Sequence, residues 1–241
     1  MQFSLNIFDK KNTINKLKTG CIAVGIYENN QLTPAAKALD QQGAISEAIA
    51  SGDISGKAGT TLLLRDVAGV AAKRVLLVGL GAEASMNDKD FLLAVESIVR
   101  VFSTLGTDEG VVGLPFDNSK DQNIQWAVTS SVLVGLPYGN PNERNLQWTI
   151  RAFVLATHEH AYRSDSLKQE KEPAPAGVKK IVFAVAGADA DKAEQTLAQS
   201  IAIANGVNLT KDLGNLPGNI CTPTYLADTA KKLAKDYRLE L

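Results

Sequence analysis

The sequence predicts an α/β fold, a three-layer sandwich of helices around a largely parallel or mixed sheet, and three observations point there. Short β-branched apolar runs alternate with longer segments of helical period. Two of those runs, "RVLLVGL" and "KKIVFAVA", are apolar at consecutive positions, as strands covered on both faces must be. With 241 residues, 45% apolar and 21% charged, the chain is large enough to bury a sizeable core.

In chain order the strand candidates are "FSLNIF", "CIAVGIY", "TLLLRDV", "RVLLVGL", "GVVGLPF", "WTIRAFVLAT" and "KKIVFAVA". Arg151 interrupts one face of "WTIRAFVLAT", which predicts a less covered strand. A first long helix is expected after Asn87 as N-cap, with Asp88 and Asp90 in its first turn. Phe91, Val95, Ile98, Phe102 and Leu105 follow at helical spacing, and Gly106 ends the run. A second helix is expected from about Asp121 to Val134, with Ile124, Val128 and Val132 on one face. A third starts near Ala188 and passes Leu197, Ile201 and Ala204 towards Leu209. A fourth spans about Pro223 to Asp236, capped by Thr222 with Pro223 in the first turn. The polar, proline-bearing "RSDSLKQEKEPAPAG" reads as a long exposed loop, and no internal repeat is present.

The formal net charge of −1 gives no support to a nucleic-acid or anionic-membrane partner, because phosphate binding needs clustered Lys and Arg. Cys21 and Cys221, the two cysteines, are far apart, which argues against a disulfide framework and a cysteine-rich zinc site. A reducing cytoplasmic compartment fits this usage. "MQFSLNIFDKKN" lacks the plan of a signal peptide, and no apolar run reaches the length of a membrane span.

Several motifs invite a chemical reading. Gly79, Gly81 and Ala84 form G-x-G-x-x-A after a strand, the pattern of a dinucleotide-binding turn. The helix starts late, no second strand supplies an acid for the ribose, and the nearest candidate, Glu96, lies inside the helix, so a tight turn leaving the sheet is the better reading. "SGDISGKAGT" resembles a P-loop, yet only three residues separate Gly52 from Gly56, and Ala58 stands where Ser or Thr must bind Mg²⁺. His158 and His160 flank Glu159; on a strand end they would share a side, with Asp165 the candidate third ligand. A solvated strand end is the better reading there too. No G-x-S-x-G elbow occurs, neither cysteine has a histidine partner in sequence, and Asp189 and Asp191 are explained by helix capping.

The segment "TKDLGNLPGNICTPTYLADTAKKLA", Thr210 to Ala234, is rich in turn formers yet carries apolar weight at Leu213, Leu216, Ile220 and Tyr225. Pro217 and Pro223 force a turn, Gly214 and Gly218 are expected to take conformations closed to other residues, and Asn215, Asn219 and Thr222 can satisfy backbone groups. In Lys211, Asp212-Leu213, Asn215, Pro217, Asn219 and Pro223-Thr-Tyr-Leu226-Ala227 this corner resembles the opening of the catalytic domain of leucyl aminopeptidases, dinuclear metallopeptidases of the cytosol. The helix before it is similar to that family's interdomain helix. "CIAVGIYENNQLTPAAKALD" and "GDISGKAGTTLLL" with "RVLLVGLG" resemble its N-terminal domain, so the likeness covers essentially the whole chain.

The resemblance implies a macro-domain-like α/β domain over 1–186, a connecting helix over 187–212 and an incomplete start of the catalytic domain over 213–241. It implies an enzyme that releases N-terminal residues, leucine preferred, from peptides, using two divalent metals (zinc, manganese or magnesium) as a cytoplasmic hexamer. The family's metal ligands and its Asn-Thr-Asp-Ala-Glu-Gly-Arg signature have no counterpart here, so no catalytic, cofactor-binding or metal-binding residue is assigned to this chain, which alone is expected to be inactive. An exposed apolar patch around Leu213 to Tyr225 is expected where the catalytic domain would sit. The alternatives are a non-catalytic ligand- or partner-binding module of similar fold and a DNA-associated regulatory role; a nicotinamide-dependent enzyme resting on Gly79 and Gly81 comes last.

Overall fold

The structure is a computed structural model, and it describes residues 1–8, 13–83, 88–113, 146–165, 167–168, 177–186 and 189–240. Its centre is a seven-stranded mixed sheet. The strands are β1 (Gln2–Phe8), β2 (Cys21–Tyr27), β3 (Gln31–Leu32), β4 (Thr61–Arg65), β5 (Arg74–Gly79), β6 (Glu109–Gly113) and β7 (Lys180–Ala186). Their order is β1-β7-β6-β2-β5-β4, with β3 paired to β2. β1, β7, β6, β2 and β5 run parallel, whereas β4 joins β5 and β3 joins β2 antiparallel. The expected α/β class and mixed sheet are thus observed. The end of "GVVGLPF" and the helix expected at 121–134 lie outside the described residues.

Alternation along the central strands feeds two apolar layers. Cys21 and Ala23 of β2 and Leu76 and Val78 of β5 face one layer, with α3 (Asp88–Phe102), α4 (Leu146–Ala161) and α5 (Ala190–Asn215). Ile22, Val24 and Ile26 of β2 and Val75 and Leu77 of β5 face the other, with α1 (Pro34–Leu39) and α2 (Ala44–Ala50). That is why both strands read as unbroken apolar runs.

Local chemistry explains the helix ends. Thr33 accepts a hydrogen bond from the Ala36 amide at 3.2 Å, donates one to the Gly25 carbonyl at 2.7 Å, and precedes Pro34 at the first position of α1. Asp40 accepts from the Ile45 amide at 2.8 Å, holding the start of α2, a helix too short for its period to stand out in the sequence. α3 carries Asp88 and Asp90 in its first turn and buries Phe91, Val95, Ile98 and Phe102, as its spacing predicts.

The strand expected at "WTIRAFVLAT" is instead the body of α4, and this is a correction. Leu146, Ile150, Phe153 and Thr157 are buried at steps of four, three and four, a helical stripe, while Arg151 sits beside it. The β-branched residues suit either period; sixteen consecutive helical residues bury them against α3 and α5.

Two features of the corner also depart from expectation. α5 continues through Gly206 and Gly214 to Asn215, past the stop expected near Leu209. Neither Gly214 nor Gly218 has a positive φ, and an added Cβ would meet nothing within 4 Å at either. The turn is made by Pro217, whose carbonyl accepts from the amides of Ile220 and Cys221, both at 2.9 Å. α6 (Pro223–Tyr237) starts as predicted, with Thr222 accepting from the Tyr225 amide at 3.3 Å.

Candidate functional site

The glycine motifs meet each other at the C-terminal ends of β2 and β5. Gly56, Gly59 and Gly81 all have positive φ, which their missing Cβ permits. The Gly81 amide donates to the Gly56 carbonyl at 2.9 Å, and the Gly59 amide donates to the Gly79 carbonyl at 2.9 Å. A Cβ on Gly79 would stand 2.0 Å from the Lys57 carbonyl oxygen. Gly56, Gly59, Gly79 and Gly81 therefore serve close approach between two loops, whereas Gly52 has open space at its Cβ; Ala84 lies outside the described residues.

The histidines do not share a side. On α4 residues two apart diverge by about 200°, and His160 is exposed while His158 is half-buried. His158 stacks on Phe3 with ring centroids 5.8 Å apart, and its Nδ1 lies 3.2 Å from the amide nitrogen of Asn208 on α5. The strand-end geometry expected for this pair is corrected with the element that carries it.

Burial, helped by the α-amino group of Met1, pushes the pKa of His158 below its ordinary value. The unfolded chain thus binds more protons than the folded one below about pH 6.5, and the neutral histidine contributes stability that is present above that pH and lost as pH falls through the folded pKa. In urea titrations at pH 7.5 and 5.5, His158→Asn is expected to show a smaller acid-induced loss of stability than the parent. An equal loss in both would refute the assignment.

The last turn of α4 meets the last two turns of α5 through a set of polar contacts. Tyr162 donates its hydroxyl hydrogen to Asp212 at 2.9 Å, and the same oxygen accepts from the Asn215 side-chain amide at 2.9 Å. Lys211 pairs with Glu159, and its ammonium lies 5.0 Å from the centroid of the Tyr162 ring. Three residues of the corner motif are thereby tied down, Lys211 to Glu159 of α4 and Asp212 and Asn215 to Tyr162 just after it. The motif points to them; Tyr162 and the pairing of Lys211 with Glu159 escape sequence reading. One signal was available: Asn208, Lys211, Asp212 and Asn215 recur at helical spacing on a single face.

Beyond this joint the surface is apolar and only partly covered. Leu213, Leu216 and Ile220 are half-buried, and Tyr225 and Leu226 remain 41% and 45% exposed. Within α6 only Ala234 is buried. Of the patch expected over Leu213 to Tyr225, only Tyr225 is exposed, and Leu226 and Tyr237 of α6 are exposed as well.

The two thiols differ sharply. Burial pushes Cys21 up to about 12, against smaller opposing effects of Arg74 and the Leu76 backbone, whereas Cys221 in the corner is half-buried. Native iodoacetamide labelling at pH 8 is expected to modify Cys221 alone, read by mass spectrometry. Two adducts on the folded chain would show that Cys21 is accessible.

A dinuclear metal centre needs bridging carboxylates. The donors here do not fit one: Glu159 is engaged by Lys211, Asp212 by Tyr162, and the two histidines diverge. Among the described residues no group of three or more His, Cys, Asp or Glu side chains is placed to hold a metal ion. Among them, too, no helix is long and apolar enough to cross a membrane.

Residues 23–134 match the N-terminal domain of the cytosol aminopeptidase family. A probable cytosol aminopeptidase of Herminiimonas arsenicoxydans is 54% identical over 241 residues, all of this chain and 44% of that protein. One of Ralstonia pickettii is 39% identical over 244 residues, covering all of this chain and 45% of that protein. The chain thus spans less than half the length of these curated relatives. A mutant of tomato leucine aminopeptidase has a similar fold, with a TM-score of 0.67 at 19% identity over 99% of this chain and 43% of that one. The bottromycin maturation enzyme BotP in complex with Mn is similar at a TM-score of 0.55 and 18% identity, over 90% of this chain and 36% of that one. The fold, the corner motif and these likenesses agree: residues 23–134 match the N-terminal domain of the cytosol aminopeptidase family, and the whole chain is similar to the N-terminal portion of such proteins.

Proposed function

We propose that the chain is the N-terminal part of a metal-dependent leucyl aminopeptidase, which releases N-terminal amino acids, leucine preferred, from peptides in the cytoplasm. The observation that carries this reading is the 54% identity to a probable cytosol aminopeptidase along the full length of the chain. On this reading two divalent ions, Mn or Zn, and every catalytic residue belong to sequence outside these 241 residues.

The contribution of this portion is to assembly, as a hexamer, and to shaping access to the active site. Residues 1–186 form the macro-domain-like unit, the connecting helix follows, and the corner with α6 opens the catalytic domain. The partly covered apolar face of α6 supports the last point, since a helix with one buried residue has most of its apolar surface left to bury.

The test is the mass of the protein from its native source, found with an antibody to this chain, together with leucine anilide hydrolysis by that material and by the isolated chain. A mass far above 25.7 kDa with metal-dependent hydrolysis, and none by the isolated chain with added Mn²⁺, is expected. A native mass of 25.7 kDa without hydrolysis would replace the peptidase by a binding or assembly module, and turnover by the isolated chain would place an active site within it.

A further inference from the structure

One face of α5 runs unbroken along the helix and changes character on the way. Ala193, Leu197, Ser200 and Ala204 are buried, with the Ser200 hydroxyl donating to the Thr196 carbonyl at 2.6 Å. At the same spacing the stripe continues through Asn208, Lys211 and Asn215, where the contacts with α4 and with Tyr162 just after it, described above, are polar. Apolar packing holds helices together but tolerates rotation and sliding; directional hydrogen bonds tolerate neither. The end of α5 is therefore held by bonds that define one register, at the point where the chain turns into the corner.

We propose that Tyr162 is a positioning residue that sets the direction in which α5 carries the corner and α6. Its hydroxyl bonds two side chains a turn apart on α5, as donor to Asp212 and acceptor from Asn215. Its ring faces the Lys211 ammonium, and Lys211 in turn holds Glu159 on α4. Rotation of α5 about its axis, or a slide along it, breaks both hydroxyl bonds together. α6 buries little of its own surface, so the orientation of everything beyond Asn215 depends on this joint.

The test uses the full chain with spin labels on Cys221 and on Arg100→Cys, an exposed position of α3; Cys21 is buried and stays unlabelled. In the parent a single narrow distance distribution is expected. Tyr162→Phe, which keeps the ring and the cation contact, is expected to broaden it about twofold while leaving the thermal midpoint unchanged. Asn215→Ala added to Tyr162→Phe is expected to broaden it little further, because the shared atom is already gone. An unchanged distribution in Tyr162→Phe overturns the proposal. So does broadening that comes with a lowered midpoint, which would mark Tyr162 as one general stabilising residue among many.

Discussion

Truncating Phe183 to alanine is expected to lower the unfolding free energy by about 3–5 kcal/mol, the range for removing a fully buried phenylalanine. Phe183 lies on β7 at 0% exposure, between β1 and β6 in the sheet. Its ring meets Phe153 of α4 edge-on, with centroids 5.8 Å apart at 84°, and stacks beside Phe3 of β1 at 6.3 Å. These pairs add to the area term, and the cavity left by truncation has strands on two sides that cannot close on it. The thermal midpoint should fall by on the order of 10 °C. Phe3 also carries the stack with His158, so the variant should weaken the acid sensitivity of stability as well. A loss below about 1.5 kcal/mol in urea titration would mean that α4 collapses into the space, against the packing described.

Gly79→Ala is the second large effect, with an expected loss of about 3 kcal/mol from overpacking against backbone. The new methyl would stand 2.0 Å from the Lys57 carbonyl oxygen and 2.5 Å from Thr60 Oγ1. Relief requires moving the 56–60 loop, which would break the hydrogen bonds that Gly59 and Gly79 exchange with β5 and Thr60. Gly214→Ala is the control: it sits in α5 with open space at its Cβ, and alanine there is expected to be neutral or to stabilise by up to about 1 kcal/mol. The contrast separates a glycine required by packing from one that is merely tolerated. Stability of Gly79→Ala within about 0.5 kcal/mol of the parent would show that the loop moves freely, and the structural account of the two glycine motifs would fail.

Both effects come from contacts between segments distant in sequence, and that is where sequence reading was weakest. β2, β5 and β7 were legible because a strand covered on both faces must be apolar at each position, a property of its own residues. α3 and α6 are legible for the same reason: the apolar stripe of α3 and the cap of α6 each lie within one segment; Asn87, the expected cap of α3, lies outside the described residues. α4 was misread as a strand because Thr149, Ile150, Val154 and Thr157 suit either period; only the layer formed with α3 and α5 selects the helix. Composition assigns Gly214 and Gly218 a conformational role, whereas Pro217 and its accepting carbonyl make the turn.

The candidate site divides along the same line. By itself the sequence determined the class of the fold, the two central strands, the start of α6, and the family likeness, since the corner motif is a string of neighbouring residues. Tertiary structure alone decided that His158 and His160 diverge, that Gly56, Gly59, Gly79 and Gly81 of two weak nucleotide-like motifs pack on one another, and that Lys211, Asp212 and Asn215 close on Glu159 and Tyr162. The physical reason is range. Periodicity, capping and turn chemistry act within a few residues, whereas Tyr162 and Asp212 stand 50 positions apart and become neighbours only when α4 and α5 bury their shared face.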